Sequence, residues 1–280
     1  MAATAATPPR ASAVRPRLLA AGRLLTTGGL GVLGIAMIFG FWALVASITN
    51  SGKFPKPLDV LQAIPDDLEN IPAVSYVTFQ QIGLQGALEY TTVNVLVTVA
   101  IGTLIGLPLG ILMARVRTAR QLLEPPLLVL GTVPLLIILP FITLWFGTAR
   151  FAQSGLVLIF TILTVTMAAQ SAAETVSGHY ANFSACLGAS KTRELWSVVL
   201  PASIPNVLGA IRVALAAAWG WQCIAELLGA ETGVGRIIGI TSDILATTDL
   251  FATLFCLVVV AVICDAIVAA VGAYITRWKE

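Results

Sequence analysis

Charge is scarce in this sequence. Asp, Glu, Lys and Arg make up 11% of 280 residues, against 58% apolar, and the mean hydropathy is +0.92. No ordinary soluble domain has that balance. The net charge of +2 is small and the basic residues are scattered, which excludes a nucleic-acid surface. A single histidine, His179, excludes a multi-His metal site; with no GxSxG elbow it also excludes a Ser/His/Asp set. The four cysteines (Cys186, Cys223, Cys256, Cys264) form no CxxC pair and sit in apolar or helical stretches, as small buried residues do. No phosphate loop is present: Lys191 and Thr192 follow Gly188-Ala189-Ser190, without the glycine that must precede the lysine and without a strand-to-helix turn. The chain is therefore expected to be no enzyme, with no metal and no cofactor of its own.

What is abundant is long apolar runs. A membrane-crossing helix needs about 20 such residues, because a rise of ~1.5 Å per residue must cover ~30 Å of hydrocarbon. Runs of that kind fall at Gly28 to Ile48, Leu88 to Ala114, Leu122 to Gly147, Ser154 to Ala173, Pro205 to Leu228 and Leu250 to Thr276. They predict an all-α membrane protein of six transmembrane helices over residues 28–280, after a cytoplasmic tail, residues 1–27. The first run is long for a signal-peptide core and no AxA site closes it, so it is read as an uncleaved helix. With the N-terminus inside, twelve Lys and Arg fall on the inner face and four (Lys53, Lys56, Arg150, Arg236) on the outer. Short positive loops stay cytoplasmic, which places both termini there. The connection at 49–86 is then external, with one or two short surface helices around Leu58 to Ile64.

Gly102, Gly106 and Gly110 recur every fourth residue, a stripe that lets another helix backbone approach closely. Pro125, Pro126, Pro134 and Pro140 should bend or break the third span and leave a cavity beside it. Trp219, Gln222 and Glu226 share one helical face, a candidate wet lining of a translocation pathway. Asp265 is a second intramembrane carboxylate, structural or pathway-facing. No repeat of 20–50 residues and no matched pair of broken helices points to a repeat array or an inverted-repeat carrier.

Between the fourth and fifth runs lies a polar, helix-prone stretch, residues 174–204, whose centre reads NFSACLGASKTRELWSVVLP (Asn182 to Pro201). It predicts a helix, a turn at Gly188 and a second helix ending before Pro201. The stretch either closes two spans or projects as a docking element. It resembles the cytoplasmic loop of ABC importer permeases, EAAxxxG followed by a hydrophobic residue and Leu-Pro. Leu187 to Ser190 and Leu200-Pro201 match in spacing. FPKPLDVLQAI, IGLPLGILMAR, LLEPPLL, ILPFITLWFG and AELLGAETGVGRII look like the nitrate, bicarbonate, taurine, sulfonate and pyrimidine-precursor permeases of that group, in the same order. Where the family has Glu-Ala-Ala this chain has Asn182-Phe183-Ser184, so the acidic residue expected at the ATPase groove is missing.

The resemblance implies a type I importer permease fold with coupling helices. It also implies ATPase coupling through Asn182, Ser184, Leu187, Gly188, Ala189, Ser190, Lys191, Arg193, Leu200 and Pro201. The implied partners are a second permease chain, two cytoplasmic ATPases carrying ATP and Mg, and an external solute-binding protein, all at a bacterial inner membrane. A homodimer is favoured; the alternative is a heterodimer whose other half carries the intact loop. The solute would be small and polar or anionic. The rival functional reading is an ATP-independent channel or ion-coupled carrier.

Overall fold

The computed structural model describes residues 15–49, 52–147 and 150–277, and among them only helices and turns occur. They form two compact units that divide between Asp59 and Val60. In the first, α1 (Arg15–Ile48) begins ahead of the expected Gly28, as the helix-favouring Leu, Ala and Arg residues at its start allow. The Trp42 indole N–H donates to the Pro55 carbonyl, 3.1 Å. The first fourteen residues of the expected tail lie outside the described residues.

The connection after α1 folds into α2 (Pro57–Glu69) and α3 (Pro72–Thr78), the short helices expected there. Then come α4 (Leu84–Arg115), α5 (Arg117–Thr132), α6 (Leu135–Phe146), α7 (Arg150–Gln153) and α8 (Gly155–Cys186). The chain ends with α9 (Lys191–Glu194), α10 (Leu200–Gly229), α11 (Val234–Asp243) and α12 (Thr247–Ile275). Among the described residues, five helices or helical runs are long and apolar enough to cross a membrane, and α5 with α6, a pair bent by 98°, makes a sixth if the pair counts as one span.

The bend has one cause. Val133, preceding Pro134, is extended (φ −72°, ψ 127°), as the proline ring requires of its neighbour, and α5 ends there. Pro125, Pro126 and Pro140 were expected to break the span as well, yet all three are carried inside helices. A cavity of about 620 Å³ opens beside the bend, lined by Val133, Phe160, Met167 and Trp221 among others.

The packing axis of the second unit is α4 against α8, and the glycine stripe makes it. A Cβ on Gly102 would lie 2.7 Å from the Thr161 Cβ, on Gly106 3.0 Å from the Ile162 carbonyl, and on Gly110 2.4 Å from the Thr166 carbonyl. Between membrane helices the gain comes from such close van der Waals contact, since lipid is as apolar as the side chains it replaces. Around this axis, Val95, Leu215, Trp219, Val234 and Ile237 join α4, α10 and α11 into one core. Arg212 lies within α10. It makes a two-pronged ion pair with Asp265 of α12, at 2.8 and 2.6 Å, so that carboxylate has a structural partner.

Candidate functional site

The polar stretch begins as the last turns of α8, which runs unbroken from the membrane span to Cys186. The side chains of Asn182 and Ser184 lie outside the described residues. Tyr180, Phe183 and Leu187 recur at i, i+3 and i+7 on exposed ground, with Phe183 70% and Leu187 87% accessible. Gly188 then turns the chain with φ +72°, a left-handed value costly for any residue bearing a Cβ. Ala189 is half-buried and Ser190 is exposed. Ser190 caps the next helix: its Oγ accepts the Arg193 N–H (3.3 Å) and its carbonyl the Glu194 N–H (2.9 Å). Lys191 and Arg193 point outward from this first turn.

The second helix was expected to end before Pro201, but it does not. Residues 195–199 form one π-turn, in which the Leu200 N–H reaches back to the Leu195 carbonyl, and the helix continues as α10. Pro201 has no N–H to give, and its ring crowds the carbonyl four residues back, so a locally widened turn accommodates it without a break. Leu200 and Pro201 are half-buried along this run. The result is one helical path of 39 residues from Lys191 to Gly229, roughly 58 Å at ~1.5 Å per residue.

Two ion pairs clamp the stretch to the α4–α5 corner: Arg115 to Glu194 (3.0 Å), and Arg120 to Glu174 (2.8 Å), with Arg120 also on Glu124 (2.8 Å). From sequence alone Arg115 and Arg120 serve only to orient the spans, as two of the twelve inner-face basic residues. The signal was there in Glu174 and Glu194, the acidic residues of the polar stretch, but their pairing needs the fold.

At the far end of α10, Trp219, Gln222 and Glu226 do share a face, and the structure turns that face into the core. Gln222 and Glu226 are fully buried and Trp219 is 5% exposed. Glu226 accepts from the Thr91 hydroxyl (2.8 and 3.0 Å), the Gln222 amide (2.9 Å) and the Gly235 N–H (3.0 Å). Thr91 Oγ in turn accepts the Val234 N–H at 3.0 Å. The carboxylate thus sits at the N-terminus of α11, where unpaired N–H groups and the helix dipole favour negative charge. Gly233 (φ +113°) and Gly235 let the backbone wrap it: a Cβ on Gly233 would come 2.4 Å from a Glu226 carboxylate oxygen, and one on Gly235 2.1 Å from the Cys223 carbonyl. Sequence reading missed Thr91 and Gly235, which lie 135 positions before and 9 after Glu226. What the arrangement can do is hold α4, α10 and α11 together at one point.

Known proteins agree with this architecture. The chain is 25% identical over 251 residues to the taurine transport system permease protein TauC of Escherichia coli (strain K12), covering 89% of each. It is 25% identical over 210 residues to the nitrate import permease protein NrtB of Synechocystis sp. (strain ATCC 27184 / PCC 6803 / Kazusa), covering 74% of each. Among solved structures, a chain of the MetNI methionine ABC transporter in an inward-facing conformation superposes with a TM-score of 0.58 at 21% identity. That match covers 70% of this chain and 96% of the other, and supports the type I importer permease fold. Residues 106–279, from the middle of α4 through α12, match the family described as binding-protein-dependent transport system inner membrane component. With a family match over more than half its length, this chain belongs to the binding-protein-dependent transport permeases.

Proposed function

We propose that this permease is the membrane half of an ATP-driven importer. Two copies would pair in a bacterial inner membrane with both termini cytoplasmic. Two cytoplasmic ATPases carrying ATP and Mg would dock beneath, and an external binding protein would deliver a small polar or anionic solute. The taurine and nitrate permeases among its relatives suit such a solute.

The observation that carries the reading is the exposed turn at Gly188. Phe183 and Leu187 present apolar side chains to water on one side of it, and an unbroken helix leads from the other side to the Glu226 network. Large exposed apolar residues beside a rigid turn suit insertion into a partner's groove. In this reading Leu187 to Arg193 are the contact, with Asn182, Ser184, Leu200 and Pro201 flanking it. The Arg115–Glu194 and Arg120–Glu174 pairs make the contact move with α4 and α5. ATP-driven closure of the ATPases would draw the docked turns together and bias the spans between inward-facing and outward-facing states. Trp219, Gln222 and Glu226 would then back the pathway wall, with Trp221 and the bent α5–α6 pair bordering the cavity itself.

The test is Gly188→Arg. A Cβ there meets nothing within 4 Å, so the local cost is the left-handed backbone, ~1–2 kcal/mol. The new side chain would project into the docking surface. The permease should stay in the membrane but lose both co-purifying ATPase and solute uptake. Retention of both would refute the coupling assignment. Uptake that survives ATP depletion and stops on collapse of the ion gradient would favour the ATP-independent carrier.

A further inference from the structure

A cleft of about 510 Å³ between α4, α7 and α8 is separate from both the coupling turn and the cavity at the bend. Its walls are apolar, with Val93, Val97 and Ile101 in a row along α4 and Leu158 opposite. Its polar end is made by Asn94, Thr98, Arg150 and Ser154. Arg150 rests on the Tyr90 ring, 4.6 Å from its centroid, and donates its Nε–H to the Asn94 side-chain oxygen. Among the described residues no carboxylate pairs with Arg150. Asn94 is 5% exposed, and its Nδ2, buried, has no acceptor. The end of the cleft therefore holds a surplus of donors and a full positive charge, with nothing negative to meet them.

Depth decides what fills it. Twenty residues of helix cover ~30 Å of hydrocarbon. Counted back from Arg115, at the end of α4, that length reaches Asn94 and Val95; counted forward from Ser154 it reaches Glu174, the partner of Arg120. Arg150 and Asn94 thus stand at the boundary where lipid phosphates lie, and the apolar row runs inward from them for ~12 Å at ~1.5 Å per residue. A tyrosine stacked beneath an arginine suits the same interfacial depth.

We propose that this cleft binds one anionic phospholipid. Its phosphodiester would be held by the outer nitrogens of Arg150, and one acyl chain would lie along Val93, Val97 and Ile101. Charge and shape both enter the assignment: a free oxyanion would satisfy the donors but leave the apolar row bare.

Native mass spectrometry of the purified protein, titrated with dioleoylphosphatidylglycerol or dioleoylphosphatidylcholine, tests this. The first phosphatidylglycerol should bind at least five-fold tighter than the zwitterionic lipid. Arg150→Gln should remove that preference, whereas Arg150→Lys should keep part of it. Val97→Trp, which fills the groove and leaves the charge, should weaken both lipids at least five-fold, and it serves as the test if Arg150→Gln does not assemble. Equal binding of the two lipids by the wild type, or an unchanged preference in Arg150→Gln, would overturn the proposal. Displacement of the lipid by millimolar glycerol 1-phosphate, with Val97→Trp silent, would overturn it in favour of a free anion site.

Discussion

Replacing Glu226 by Leu separates two roles that its position allows, a lock between helices or a group that meets solute. Leucine is close in volume but accepts no hydrogen bond. It would orphan the Gly235 N–H, the Gln222 amide and the Thr91 hydroxyl, all of which now end on the carboxylate in a fully buried site. A buried donor left unmade costs ~1–3 kcal/mol, so three give a loss of ~3–6 kcal/mol after partial relaxation. Glu226→Gln should cost far less, ~1–2 kcal/mol, the charge assistance alone. The Gln222 amide can rotate to offer its oxygen to the new NH2 and its NH2 toward Ser154, whose hydroxyl now lies 3.4 Å from that oxygen. Thr91→Val also strips the Val234 N–H of its acceptor. Its loss and that of Glu226→Leu should therefore fall short of additive in the double variant, since both break one network. The assay is the fraction of monodisperse permease after graded heating in detergent, with uptake measured beside it. The lock requires the stability order wild type, Gln, Leu, and uptake that follows folded protein. A Leu variant as heat-resistant as wild type but dead in transport would refute it and put the carboxylate in the pathway.

Two further outcomes rest on contacts elsewhere in the fold. Gly110→Ala forces a Cβ to 2.4 Å from the Thr166 carbonyl and 2.7 Å from the Ala169 Cβ; overpacking of ~1–3 kcal/mol should outweigh the helix-propensity gain of ~1 kcal/mol. Gly86→Ala on the same helix meets nothing within 4 Å and should be neutral or better, so equal melting of the two variants would sink the close-packing account. In α2, burial, then the charges of Asp249 and Asp66, push the Asp67 carboxyl up to about 6. An acid raised in the folded state stabilises while protonated, so its contribution is complete below about pH 4 and is lost as pH rises through about 6. Protection of the α2–α3 segment from protease should fall across that window, and Asp67→Asn should flatten the profile; an unchanged slope in the variant would show that another group titrates.

Length, hydropathy and the placement of Lys and Arg made the helical, membrane-spanning class legible from the sequence, because each span signals itself locally. The turn at Gly188 and the packing stripe at Gly102, Gly106 and Gly110 were readable for the same reason: both are contiguous or periodic on one helix. Pro201 misled because a proline followed by a fresh apolar run reads as a boundary, whereas a single π-turn absorbs it. The prolines of the third apolar run, Pro125, Pro126, Pro134 and Pro140, all read alike, and among them Pro134 alone breaks the helix.

Sequence alone thus determined the helical, membrane-spanning class and the order of the apolar runs, the position of the polar stretch and which residues share a helical face. Which way each face turns was decided by tertiary structure. Glu226 could have met water, lipid or protein. It meets Thr91 and Gly235 because α11 folds back with its N-terminus over α10, a meeting of segments 135 and 9 positions away that no local pattern encodes. The pairs Arg115–Glu194 and Arg212–Asp265, and the placing of Arg150 away from any carboxylate among the described residues, belong to the same class. A charge in or beside a membrane must find a partner or an interface, but the sequence says only that it must, and the packing of helices says which.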